Sequence, residues 1–128
     1  MDKASLVVEL IEDGKRLIEA LDAAKFDVKA AMWFYLPDTD EWRLIIASPF
    51  VDNSGPMKAY EFIQKEMEKL SPALGIKLRN IAVVSPQDRL ISLMRLAIGT
   101  GPTISGIRFT QNVINNVLIE DAFIYRMM

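Results

Sequence analysis

Residues 27–49 read "DVKAAMWFYLPDTDEWRLIIASP", two strand-like runs joined by a turn, and neither run has a plainly polar face. Val28, Ala30, Met32, Phe34 and Leu36 alternate with Lys29, Ala31, Trp33 and Tyr35, while Trp42, Leu44 and Ile46 alternate with Arg43, Ile45 and Ala47. Successive strand residues point to opposite faces, so a hairpin of this kind needs cover on both sides. That requirement limits the chain to folds in which helices cover one face of a sheet and further protein at least partly covers the other. At 128 residues, one core is expected, and 51% apolar residues suffice to build it.

The rest of the chain supplies the cover. Leu6, Leu10, Leu17 and Leu21, flanked by Val7, Ile11 and Ile18, mark an amphipathic first helix with Asp2 placed to cap it. Gly14 falls on the apolar stripe, which implies a close approach to the sheet. Pro56 opens a second helix carrying Tyr60, Ile63, Met67 and Leu70, closed by Ser71-Pro72. "NIAVV" is a short strand. "SPQD" then reads as a helix start, with Ser85 as cap, for a third helix bearing Leu90, Ile91, Met94, Ala97 and Ile98. "SGIRFTQNVINNVLIEDAFIYRM" is a closing hairpin that turns between Asn112 and Asn116. The expectation is a single α+β domain over 1–128, a two-layer sandwich of three helices on an about five-stranded, mainly antiparallel sheet, in the order α-β-β-α-β-α-β-β.

The glycine-rich stretch "AIGTGPTISGIRF", residues 97–109, follows a helix. Phosphate-cradling loops precede one, where free amides and the positive dipole end converge on the anion. The stretch is therefore read as a helix stop, with Gly99 as a left-handed cap and Pro102 preventing resumption.

Composition removes whole classes of chemistry. The chain has no Cys and no His, so thiolate nucleophiles, disulfides, zinc–thiolate sites, serine triads and His-ligated metals are excluded. No cofactor is expected. Any metal would be a hard cation such as Mg or Mn held by carboxylates. The weak catalytic candidates are Asp38 in the first turn and Glu120 with Asp121 in the last strand. One of that adjacent pair must face the covered side, where Arg108 on the neighbouring arm is the obvious partner. Pro37-Asp38 and Glu41-Trp42-Arg43 resemble the acid-x-Lys pattern of a nuclease core, but the spacing is too short and Arg stands where Lys is needed, so no family is assigned.

Net charge is −2, divided unevenly: residues 1–70 carry −5 and residues 71–128 carry +3. Five of the seven Arg lie in the second part. Arg79, Arg89, Arg95 and Arg108 are candidates for a small-anion site, with pairing to the acidic first part as the alternative. A pI near 5.2 argues against nucleic acid. The longest apolar run, "LIIASPFV", is far below the roughly 20 residues of a membrane helix, and the expected location is cytoplasmic. The leading functional expectation is a non-catalytic protein-contact or regulatory module acting as a homo-oligomer through Trp33, Tyr35 and Trp42. A carboxylate-metal hydrolase or nuclease and an Arg-based anion binder are the alternatives.

Overall fold

The computed structural model describes residues 3–128. Strands β1 (Ala30–Leu36) and β2 (Glu41–Ala47) form the expected hairpin, with Trp33 opposite Leu44 and Tyr35 opposite Trp42. Its turn closes through Asp40 at φ +51°, a left-handed conformation that Asp tolerates. β3 (Ile81–Val84), β4 (Ile107–Ile114) and β5 (Val117–Met127) complete a five-stranded sheet in the order β3-β2-β1-β5-β4. The α+β class and the order of elements are those expected from the sequence. All pairings are antiparallel except β2 with β3. The chain between those two passes through α2 (Pro49–Ser54) and α3 (Pro56–Glu68), a crossover long enough to return it in the same direction.

The two apolar faces of the first hairpin have separate partners. Ala31, Trp33, Tyr35, Trp42, Leu44 and Ile46 pack under α1 (Val8–Ala23) and α3, together with Leu17, Ile18, Leu21 and Ile63. Ala30, Met32, Ile45 and Ala47 pack on the opposite side against Ile91 and Met94 of α4 (Arg89–Arg95). The second face is thus closed within the chain, by α4 and by the tip of the closing hairpin. That hairpin rolls over along its length: Asp121 and Phe123 lie on the α1 side near its base, whereas Ile119 and Ile114 join the α4-side cluster near its tip. Gln111, at φ +48°, lies between the two regimes.

Local details depart from the sequence reading where tertiary contacts intervene. Helix α1 begins at Val8, so Leu6 and Val7 precede it and residues 3–7 form an arm outside any helix or strand, extended at Val7; Asp2 lies outside the described residues. Ser48-Pro49 opens a short helix instead of ending a strand, because the Ser48 hydroxyl accepts from the Phe50 amide and donates to the Phe26 carbonyl at 2.6 Å. Asp88, not Ser85, caps α4, accepting from the Leu90 amide at 3.0 Å, while Ser85 stabilises the preceding turn. Gly99 does not take a left-handed conformation. The 96–106 loop is instead strapped along β5: the Thr100 amide donates to the Met127 carbonyl, the Thr100 hydroxyl accepts from the Met127 amide, and the Ser105 amide donates to the Tyr125 carbonyl. The loop ends the helix, and these two amides are occupied by backbone. The closing turn is tighter than expected, with Asn115 and Asn116 both at positive φ, as a two-residue type I′ turn requires.

Helix α1 is anchored by an irregularity in β5. Ala31 pairs with Arg126 and Met32 with Ile124, which leaves Tyr125 as an extra, bulged residue. A bulge of this kind aims neighbouring side chains to the same side. The Tyr125 hydroxyl donates to the Ile11 carbonyl at 2.7 Å and accepts from Trp33 Nε1 at 3.0 Å. Arg126, 4% exposed, grips both Asp22 oxygens at 2.8 and 2.9 Å and donates to the Val28 carbonyl. Gly14 permits this seating, since a Cβ there would overlap the Tyr125 hydroxyl and stand 2.9 Å from its ring carbon. The close approach expected at Gly14 is therefore present. Gly14→Ala should lower unfolding free energy by about 3 kcal/mol, the sum of overpacking and a disturbed buried hydrogen bond. Urea denaturation checks this, and the loss should shrink when the substitution is made in a Tyr125→Phe background.

Candidate functional site

The N-terminal arm crosses the edge of the α1-side core where β1, β2 and β5 meet. Ala4 anchors it: its amide donates to Asp40 Oδ1 at 2.8 Å, and its carbonyl accepts from Trp42 Nε1 at 2.8 Å. These bonds present Lys3 to a recess walled by two aromatic rings and a carboxylate. The Lys3 ammonium lies 4.9 Å from the Tyr35 ring centroid and 5.8 Å from that of Trp42, and it donates to Asp121 Oδ2 at 2.5 Å. Tyr35 and Trp42 are cross-strand partners with centroids 5.3 Å apart. Arg108 closes the far side. It donates to both Asp121 oxygens, at 2.6 and 2.7 Å, and lies 5.5 Å from the Trp42 ring.

Asp121 is 2% exposed. Burial pushes its pKa up, but hydrogen bonds and charge from Arg108 and Lys3 outweigh this and hold it below the ordinary carboxylate range. Its partner Arg108 is pushed up by the same bond. The Tyr35 hydroxyl donates to Asp40; that bond, with burial and nearby carboxylate charge, raises it to about 12. Asp40 is lowered by the Ala4 amide and the Tyr35 hydroxyl. The cluster is thus built to hold positive charge against aromatic faces and a buried anion. Both Asp121 oxygens accept from cations, Oδ1 from Arg108 and Oδ2 from Arg108 and Lys3.

The sequence candidates fall into place unevenly. Tyr35, Trp42, Arg108 and Asp121, nominated for three separate roles, meet in this one cluster. Trp33, Tyr35 and Trp42 are 1%, 4% and 9% exposed and covered by their own chain, which corrects the expectation that they present an interface. Of the adjacent acids, Asp121 took the covered side and paired with Arg108, whereas Glu120 is half-buried next to it and Asp38 stands exposed in the β1–β2 turn. Asp38, Glu120 and Asp121 do not converge, and no group of three or more acids does so among the described residues. The four Arg nominated for an anion are dispersed. Arg95 donates to the carbonyls of Pro86 and Met128, Arg108 is held by Asp121, Arg79 lies on the turn before β3, and Arg89 opens α4.

Lys3 is a member of the cluster that the sequence does not point to, whereas Asp40 stands with Asp38 and Glu41 among the acids of the first turn, whose expected role is turn hydrogen bonding. The only sequence signal for them was a Lys near the start of an acid-rich segment and an Asp at a turn, and neither is specific. Arg126, the fifth Arg of the basic second part, lines an open cavity of about 440 Å³ with Asp22, Lys25, Asp27, Pro102 and Met128. Its Nε has no partner among the described residues, but both terminal nitrogens are fixed by Asp22 and Val28.

Because Asp40 and Asp121 are lowered in the folded chain, the stability they contribute is complete above the unfolded carboxylate range, about pH 4, and is lost as pH falls through their folded values. The urea midpoint should therefore decline as pH is lowered from about 6 to 2. Asp40→Asn should make that decline shallower, and an unchanged slope would show that the arm's anchor does not couple to folding.

No protein-family model, curated protein or solved structure is matched by this chain.

Proposed function

We propose that the protein is a non-catalytic contact module that self-associates through the tip of its β4–β5 hairpin. The observation that carries this reading is a pair of apolar side chains directly opposite each other on the hairpin, Val113 and Leu118, which are 64% and 62% exposed. β1 pairs with β5 only from Ala122 onward, so this part of the hairpin extends past the sheet as a two-stranded arm. Val117 on the same tip and Leu96 just past α4 add exposed apolar surface. Leu93 and Leu96 share an open groove with Asn115 of the turn.

The occupant is a second copy of the chain. Residues 111–118, "QNVINNVL", carry no charge, so two tips related by a two-fold axis meet without like-charge repulsion. A self-complementary patch of this kind buries Val113 and Leu118 of each copy against the other. The surface differs from the aromatic one read from sequence, because the aromatics are consumed by the core.

Light scattering coupled to gel filtration should give a mass near twice 14.5 kDa in the high micromolar range. Leu118→Asp should return the chain to a monomer with an unchanged circular dichroism spectrum. A 14.5 kDa species for the unaltered chain across that range would overturn the reading.

A further inference from the structure

We infer that the recess formed by Tyr35, Trp42 and Asp121 is a binding site for the lysine of an extended segment from a partner protein, and that the chain's own Lys3 occupies it as an intramolecular ligand. The recess is seen with its ligand chemistry in place. A primary ammonium sits against two aromatic faces and donates to a carboxylate that is 2% exposed, while the backbone of the next residue is read at both its N–H and its C=O. Together these contacts specify an extended peptide with lysine followed by a residue able to pass close to the Trp42 edge, as Ala4 does. They do not specify an anion or a nucleic acid strand.

The arm is suited to exchange. Lys3 retains 36% of its side-chain exposure, and residues 5 and 7 of the arm are exposed as well. When Lys3 leaves, Asp121 keeps both bonds to Arg108, so the buried carboxylate does not lose its counter-charge. The carboxylate therefore stays balanced without its resident occupant. A competing segment must displace an arm held at high effective concentration by its covalent connection to α1, and this is what makes the arm a gate.

The test is calorimetric titration of an acetylated, amidated peptide with the sequence of residues 2–7, "DKASLV", into the full chain and into Lys3→Ala. The Lys3→Ala chain should bind about tenfold or more tightly than the unaltered chain, because the intramolecular competitor has lost its ammonium and keeps only the Ala4 backbone contacts. A peptide with Ala in place of Lys should not bind. Lys3→Ala/Asp121→Asn should lose binding; if that variant is unfolded by circular dichroism, Lys3→Ala/Asp40→Ala should weaken it by removing the acceptor for the peptide amide. Leu118→Asp should leave peptide binding unchanged, so a failure of the hairpin reading is distinguishable from a failure of this one. Equal affinity in the unaltered and Lys3→Ala chains, or equal binding of the Lys-free peptide, overturns the proposal. Binding of N-acetyl-lysine methylamide as tight as that of the peptide overturns the assignment to a protein segment.

Discussion

The bulge in β5 at Tyr125 is the constraint from which the rest of the architecture follows. It turns Tyr125 and Arg126 together toward α1, and their two grips, on the Ile11 carbonyl and on Asp22, fix the helix near both of its ends. Trp33 is held in the same network through its indole N–H. Since the Tyr125 ring occupies the space a side chain at position 14 would need, the helix can sit this low only with glycine there. Burying a Tyr hydroxyl and an Arg is costly unless each is well bonded, and here the helix backbone and Asp22 supply the partners.

With α1 fixed, the chain before it has a defined path. The arm emerges over the edge where β1 and β2 turn, and Asp40, at the end of that turn, receives both the Ala4 amide and the Tyr35 hydroxyl. The same edge carries Asp121 and Arg108 from the two strands of the closing hairpin, which β5 brings beside β1. Four segments far apart in sequence thus build one charged and aromatic recess. Its electrostatics are self-consistent: the buried carboxylate is balanced by two cations, and both cations also contact aromatic faces.

The two ends of the closing hairpin do different things for a simple reason. Near the base β5 is an interior strand with β4 as the sheet's edge, and one face of the pair packs on α1 and the aromatic cluster while Ala122, Ile124 and Met127 pack on the α4 side. Beyond Asp121 it has no β1 partner, so it is free to roll, directing Ile114 and Ile119 onto α4's side of the sheet and leaving Val113 and Leu118 outside. The apolar residues that the sequence displays on both faces of its first hairpin are covered by α1 and α3 on one side and by α4 and the closing hairpin on the other, whereas Val113 and Leu118 of the closing hairpin stay exposed.

Much of this was legible in the order of residues. Alternation in 30–36 and 41–47, helical spacing in 8–23 and 56–68, and the Asn115-Asn116 turn are short-range patterns set by the periods of strand and helix and by backbone sterics. Local chemistry also flagged Gly14 and the Asp121–Arg108 pair, because a glycine on an apolar stripe and an acid in an apolar strand each demand a neighbour. What the chain's order could not decide were the start of α1, the cap of α4, the short helix after Ser48 and the membership of the recess. Residues 3–7 have helical spacing yet lie outside the helix, since Asp40 and Trp42 offer the Ala4 backbone partners that only the folded turn provides. Lys3 and Asp40 look like ordinary surface charges until β1, β2 and β5 are side by side. Their significance arises from contacts spanning as much as 118 positions, which no local pattern encodes and which exist only once the sheet has closed.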